Sequence, residues 1–116
     1  MSTTESVLDR HLETFGEQDM EGIMADYADD AVLITQSETY HGPDEIRRLF
    51  EALFDEFSDP EASLTLDYRT IEDDTAYIVW HADTPENEYE FATDTFVIQD
   101  GEIVTQTLGT VVTPKN

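Results

Sequence analysis

Cysteine is absent from these 116 residues, and lysine occurs once, as Lys115. Without a thiol there is neither a disulfide framework nor a cysteine nucleophile. Lysine and arginine together number 5 against 28 aspartates and glutamates, a formal net charge of −23. Such a surface repels phosphate backbones and anionic bilayers alike, which excludes nucleic acid and membrane surfaces as electrostatic partners. No apolar run approaches the length of a membrane span. Met1 to Glu5 carry neither a basic segment nor an apolar stretch, so a cytoplasmic location is expected. There is no glycine-rich phosphate loop and no nucleophile-elbow serine. His11, His41 and His81 fall on separate segments without metal-ligand spacing, so neither a metal site nor a cofactor is expected.

What is present suffices for one folded domain spanning residues 1–116. Hydrophobic residues make up 39% of the chain, with six Phe, five Tyr and one Trp, enough to bury a single core. Disorder would be one reading of the acidity, but the periodic apolar patterns below argue against it. A halophilic host is the expectation instead, since concentrated salt screens self-repulsion and a carboxylate-covered surface stays soluble.

Ser2 with Glu5 reads as a capping box that starts a first helix, whose apolar stripe is Val7, Leu8, His11, Leu12 and Phe15. Gly16 is placed to take the left-handed stop. Asp19 caps a second, shorter helix carrying Met20, Ile23, Met24 and Tyr27 on one face. A strand follows over Ala31 to Thr35. Pro43 suits the first position of a third helix, with Ile46, Leu49, Phe50, Leu53, Phe54 and Phe57 on its apolar face. Ser58-Asp59-Pro60 stops it.

Beyond Pro60 the period becomes two. Leu64, Leu66 and Tyr68 alternate with Thr65, Asp67 and Arg69. Asp73-Asp74 turns the chain into Ala76 to Asp83, Pro85-Glu86-Asn87 turns it into Tyr89 to Gln99, and Asp100-Gly101 is a hairpin signal leading to Ile103 through Val112. Strands joined by such short turns form an antiparallel meander, and three amphipathic helices are available to cover one face. The fold class is α+β.

Residues 19–50 carry a family resemblance. A short helix runs into Tyr27-Ala28-Asp29-Asp30-Ala31, then the strand Val32-Leu33-Ile34, and then Tyr40-His41-Gly42-Pro43 opens the next helix. This arrangement resembles the NTF2-like superfamily, in its SnoaL-like and ketosteroid-isomerase-like branches, and the strand pattern down to Pro114 extends the resemblance over nearly the whole chain. It implies three N-terminal helices packed on a strongly curved antiparallel sheet, together forming a cone. The implied interior pocket would be lined by Thr35, Phe50, Phe54, Trp80 and Phe96.

Chemistry is sought among polar residues on apolar faces. Asp94 shares its strand face with Ala92, Phe96 and Ile98. If that face is buried, desolvation raises the carboxyl pKa and favours the protonated acid; a one-residue slip or bulge would instead turn it outward. By position Asp94 is similar to the isomerases' protonated aspartate, an oxyanion donor. His11 occupies the place of their oxyanion-donating tyrosine, where an imidazole can donate or exchange a proton; the alternative is a buried histidine bonded to a backbone carbonyl. Tyr27 matches a tyrosine of the isomerase network in a supporting role. Two positions depart. Thr35 stands where the general-base carboxylate belongs, and a threonine cannot take a carbon-bound proton unaided. Phe50 stands where a supporting tyrosine belongs.

Two functions with residue-level support stay in view, beside a purely structural stress-response role in a salt-loving organism that has none, and whether the protein is an enzyme is left open. One is a pocket for a small apolar ligand with a polar end, with acid/base isomerase-, cyclase- or hydrolase-type chemistry on a carbonyl compound. The other is a non-catalytic association module. Either is expected as a homodimer, with Tyr77, Val79, Phe91, Thr93 and Thr95 on the meander's outer face.

Overall fold

The computed structural model describes residues 3–115. Helix α1 spans Thr3–Glu17 and buries Val7, Leu8 and His11; the capping role expected of Ser2 lies outside the described residues. Gly16 stays inside the helix, and the left-handed stop falls on Gln18 at φ 58°. Helix α2 is one short turn, Met20–Met24, capped by the Asp19 side chain, which accepts from the Gly22 N–H. The next elements are β1 (Tyr27–Thr35), β2 (Thr39–His41) and α3 (Gly42–Phe57), the last with Pro43 in its first turn.

Tyr27 therefore opens a strand rather than closing α2, and β1 begins four residues before Ala31. Its early start rests on pairing with Ile103, whose N–H is also bonded by the Asp26 carbonyl at 2.7 Å. Asp29 and Asp30, which read as turn residues, sit exposed in an irregularity of β1 between Tyr27 and Val32. A bulge of this kind lets acidic residues face water without ending the strand.

Strands β3 (Ser63–Glu72), β4 (Thr75–Asp83), β5 (Asn87–Gln99) and β6 (Glu102–Pro114) form the antiparallel meander. Asp100 and Gly101 both have positive φ (53° and 79°), as a two-residue type I′ hairpin requires. The sheet as a whole is mixed: its order is β2-β1-β6-β5-β4-β3, and β1 runs parallel to β6. An all-antiparallel sheet was expected because β1 and the meander were read separately. The chain between them, α3 included, is long enough for the crossover that a parallel pair needs. Only two helices precede the sheet; α3 lies between β2 and β3.

A second departure sets the shape of the site. The β3–β4 register shifts between Leu66 and Tyr68. Leu64 and Leu66 face the helices, Tyr68 turns to the outer face, and Arg69 turns inward to bond Asp9 of α1 at 2.8 Å. The core lies between helices and sheet, built from Leu8, Ile23, Leu33, Ile46, Phe96 and Ile103, each nearly fully buried. Among the described residues no helix is long and apolar enough to cross a membrane.

Candidate functional site

A cavity of about 410 Å³ opens between α1, α3 and the inner face of the sheet, within the usual range for small-molecule pockets. Phe50, Phe57, Trp80, Phe96 and Ile78 wall it, and Leu64 and Leu66 stand half-exposed at its mouth. Three buried polar side chains form its floor: Asp94 from β5, His11 from α1 and Gln106 from β6.

Asp94 is buried, on the inner face with Ala92, Phe96 and Ile98. Each carboxyl oxygen accepts one hydrogen bond. Trp80 Nε1–H donates to Oδ1 at 2.8 Å, and Gln106 Nε2–H donates to Oδ2 at 2.8 Å. Both are diagonal cross-strand contacts, because Asp94 itself pairs with Ile78 and Leu108. The Gln106 Oε1 accepts from the buried Tyr27 hydroxyl. Indole and amide thus donate to one carboxyl group, and the phenol holds the amide in place from behind. Burial pushes the Asp94 pKa up; the bonds from Trp80 and Gln106 and the nearby His11 offset only part of that rise. Burial, reinforced by Asp94 and Asp26, also pushes the Tyr27 hydroxyl well above its ordinary range, so it remains a neutral donor.

His11 is wedged edge-on among Phe96, Tyr27 and Phe50 at centroid distances of 5.1, 5.8 and 5.9 Å. Its Nδ1 faces Oδ2 of Asp26 at 3.4 Å, and Asp26, with no exposed surface, receives Arg10 Nε at 2.6 Å on its other oxygen. A backbone-carbonyl partner for the imidazole, the alternative raised above, is not what the ring nitrogen faces.

Two residues expected in the pocket lie elsewhere. Thr35, at the end of β1, uses its hydroxyl to close the turn: it donates to the Glu38 carbonyl at 3.0 Å and accepts from the Glu38 N–H at 2.9 Å. Phe54 points away from the cavity and packs between Phe15 and Phe50, with centroids 5.5 and 5.9 Å away. Tyr27 sits behind the cavity wall, bonded to Gln106 and packed edge-on or tilted against His11 and Phe50, which line it. Of the β6 threonines, Thr110 lines the cavity while Thr105 and Thr107 do not. His41 and His81 are exposed and away from the cavity, the latter beside Asp67 at 2.7 Å.

Gln106 and Asp26 were not found from sequence. A register shift between Val97 and Ile98 moves the inner face of β6 from Ile103 to Gln106, breaking the alternation that would have flagged it. Asp26 sits between α2 and β1 and acquires meaning only from α1 folding back over it. A further cluster closes one side of the cavity. Glu56 of α3 accepts from Thr84 Oγ1 (2.7 Å), Asn87 Nδ2 (2.9 Å) and Tyr89 Oη (2.7 Å). Burial raises the Glu56 pKa, but the three donors outweigh it and hold the carboxylate below its ordinary value. Tyr89, which lines the cavity, is pushed up by burial and by this bond to Glu56.

Helices packed on a six-stranded mixed sheet, with a polar-floored cavity between, make an NTF2-like α+β fold. The chain belongs to the SnoaL-like domain family, whose sequence model matches residues 8–106. Solved structures with the same fold include an NTF2-like protein from Burkholderia thailandensis at 22% identity, TM-score 0.80, covering 96% of this chain and 92% of that one. Another, from Kribbella flavida and named provisionally as a ketosteroid isomerase, is 15% identical at TM-score 0.77, covering 94% and 78%. A third, from Sinorhizobium meliloti and named provisionally as a polyketide cyclase, is 16% identical at TM-score 0.74, covering 93% and 99%. At these identities the likeness is one of fold. No curated protein matches the chain.

Proposed function

We propose that this domain binds an uncharged, mostly apolar compound carrying a carbonyl or hydroxyl end, and that acid/base chemistry at that end is its activity. The observation that carries the reading is a single buried carboxyl group, Asp94, at the floor of an aromatic cavity with its pKa raised. Among the described residues lining the cavity none is lysine or arginine, so nothing there compensates an anionic ligand. Asp94 in its acid form donates to the ligand oxygen, His11 lies near enough to exchange a proton, and Phe50, Trp80 and Phe96 hold the apolar body. The provisional names of the Kribbella and Sinorhizobium relatives, an isomerase and a cyclase, point to chemistry of the same kind.

The test is thermal denaturation against matched phenols, cyclic ketones and carboxylates. Phenols and ketones raise the melting temperature of the wild type, carboxylates do not, and Asp94→Asn removes the response. A wild type indifferent to all three classes overturns the reading.

A second reading, association without catalysis, has its own supporting observation. The centre of the outer sheet face carries Tyr68, Tyr77, Val79, Phe91, Thr93, Thr95 and Val111, with no carboxylate among them. Two copies bearing −23 each can approach closely only through such a charge-free face, so the partner we propose for it is a second copy of the chain. A monomeric mass in molar potassium chloride would count against this face as a dimer contact. The same charge supports a cytoplasm rich in salt as the working environment.

A further inference from the structure

His11 Nδ1 and Asp26 Oδ2 are the two buried side-chain polar atoms without a hydrogen-bond partner among the described residues, and they face each other across 3.4 Å. A buried polar atom left unpaired is costly, and here one small ring rotation satisfies both. Asp26 cannot turn away, because it has no exposed surface and its other oxygen is held by Arg10 Nε at 2.6 Å. The imidazole cannot turn away either, being gripped by Phe96, Tyr27 and Phe50.

From this geometry we infer that Asp26 is a positioning residue that holds His11 in the Nδ1–H tautomer and presents an unprotonated Nε2 to the cavity as its proton acceptor. The inference rests on the ligand reading above and supplies the base that Thr35 cannot be. The groups facing His11 are Asp26 from the α2–β1 link, Asp94 from β5 and Tyr27 from β1, with Arg10 acting through Asp26. With a ketone bound, Nε2 takes a proton from the carbon beside the carbonyl. The electrons of that C–H bond form the C=C of an enol, and the proton of the Asp94 acid passes to the carbonyl oxygen. Reversal from His11 exchanges the carbon-bound hydrogen with solvent and restores both groups. An imidazole oriented by a buried carboxylate is a recurrent solution to proton transfer, with the carboxylate choosing the tautomer.

Asp26→Asn gives a sharp test because Arg10 fixes the direction of the new amide. Its oxygen must face Arg10, so its NH2 group donates to His11 Nδ1 and the ring proton moves to Nε2. Nitrogen-15 NMR of the free protein is expected to report Nδ1–H in the wild type and Nε2–H in the variant. The chemical arm uses 2-tetralone deuterated beside its carbonyl and follows deuterium loss to water. The wild type should accelerate the loss, while Asp26→Asn slows it roughly a hundred-fold with ketone affinity unchanged, and His11→Gln abolishes it. A wild-type Nε2–H tautomer, or a folded Asp26→Asn variant that exchanges at the wild-type rate, overturns the inference. A wild type that binds the ketone without exchanging it overturns the inference and leaves ligand binding standing. If no ketone binds, the ligand reading falls and the tautomer measurement alone decides the role of Asp26.

Discussion

Gln106 donates from its amide nitrogen to the Asp94 carboxyl at 2.8 Å, and this bond fixes which way the Gln106 amide points. Its oxygen is then committed to the Tyr27 hydroxyl. Replacing Gln106 by leucine strips a donor from Asp94 and an acceptor from Tyr27 in one step. The expected cost is about 1–3 kcal/mol, read from urea denaturation. Loss of a lowering hydrogen bond should also move the Asp94 titration further up, observable in its carboxyl carbon-13 shift. A variant as stable as the wild type would show that the chain of bonds carries no energy.

Asp94 and Glu56 should give stability opposite dependences on pH. The native Asp94 pKa lies above its ordinary 3.8, so the folded state holds this proton more tightly than the unfolded chain does. Its contribution is complete below 3.8 and is lost as pH rises through the folded value. Glu56 lies below its ordinary 4.5, so its contribution is present above 4.5 and is lost as pH falls through the folded value. Asp94→Asn should flatten the loss on the rising side and Glu56→Gln the loss on the falling side, measured as urea midpoints across pH. Coincident curves for the two variants would refute the assignment.

Gly22 has no room for a side chain. A β-carbon there would lie 2.4 Å from Oδ2 of Asp19, whose other carboxyl oxygen caps α2, and 2.9 Å from the buried Thr14 methyl. Gly22→Ala should therefore destabilise by about 1–2 kcal/mol, the magnitude of a lost cap, despite alanine's better helix propensity. An increase in melting temperature would mean that the cap yields without cost.

Salt should govern stability more than any single side chain does. Arg10, Arg47, Arg69 and Lys115 each meet one carboxylate, which leaves most of the 28 acidic residues to repel one another. Lowering potassium chloride from molar to millimolar lengthens the screening distance from about 3 Å to tens of Å, and the melting temperature should drop sharply. A midpoint indifferent to salt would remove the basis for a halophilic reading.

How far the sequence revealed this molecule depended on whether the signal was local. Asp94 could be placed on the inner face because its strand alternates cleanly, and Asp19, Pro43 and Asp100-Gly101 marked their boundaries by short-range chemistry. The parallel pairing of β1 with β6 joins residues more than seventy positions apart, and no local pattern encodes it. Gln106 hid behind a register shift, and Asp26 behind a contact between α1 and a link it does not adjoin. Thr35 and Phe54 were assigned to the cavity by resemblance; in fact the first closes a turn and the second packs between helices.

The register shift at Leu66 and Tyr68 divides β3 into two phases. Before it, alternate residues supply the cavity mouth; after it, the same parity faces outward, and Tyr68 joins the charge-free face. A point substitution in β3 therefore touches ligand entry or the outer surface, but not both. Deleting the unpaired Asp67 would straighten the strand yet leave Leu66 opposite Trp80, Tyr68 opposite Val79 and Arg69 opposite Ile78. The one extra residue is therefore what lets positions of the same parity serve opposite faces, and the two surfaces are free to diverge independently as long as the pairings on either side of it are kept.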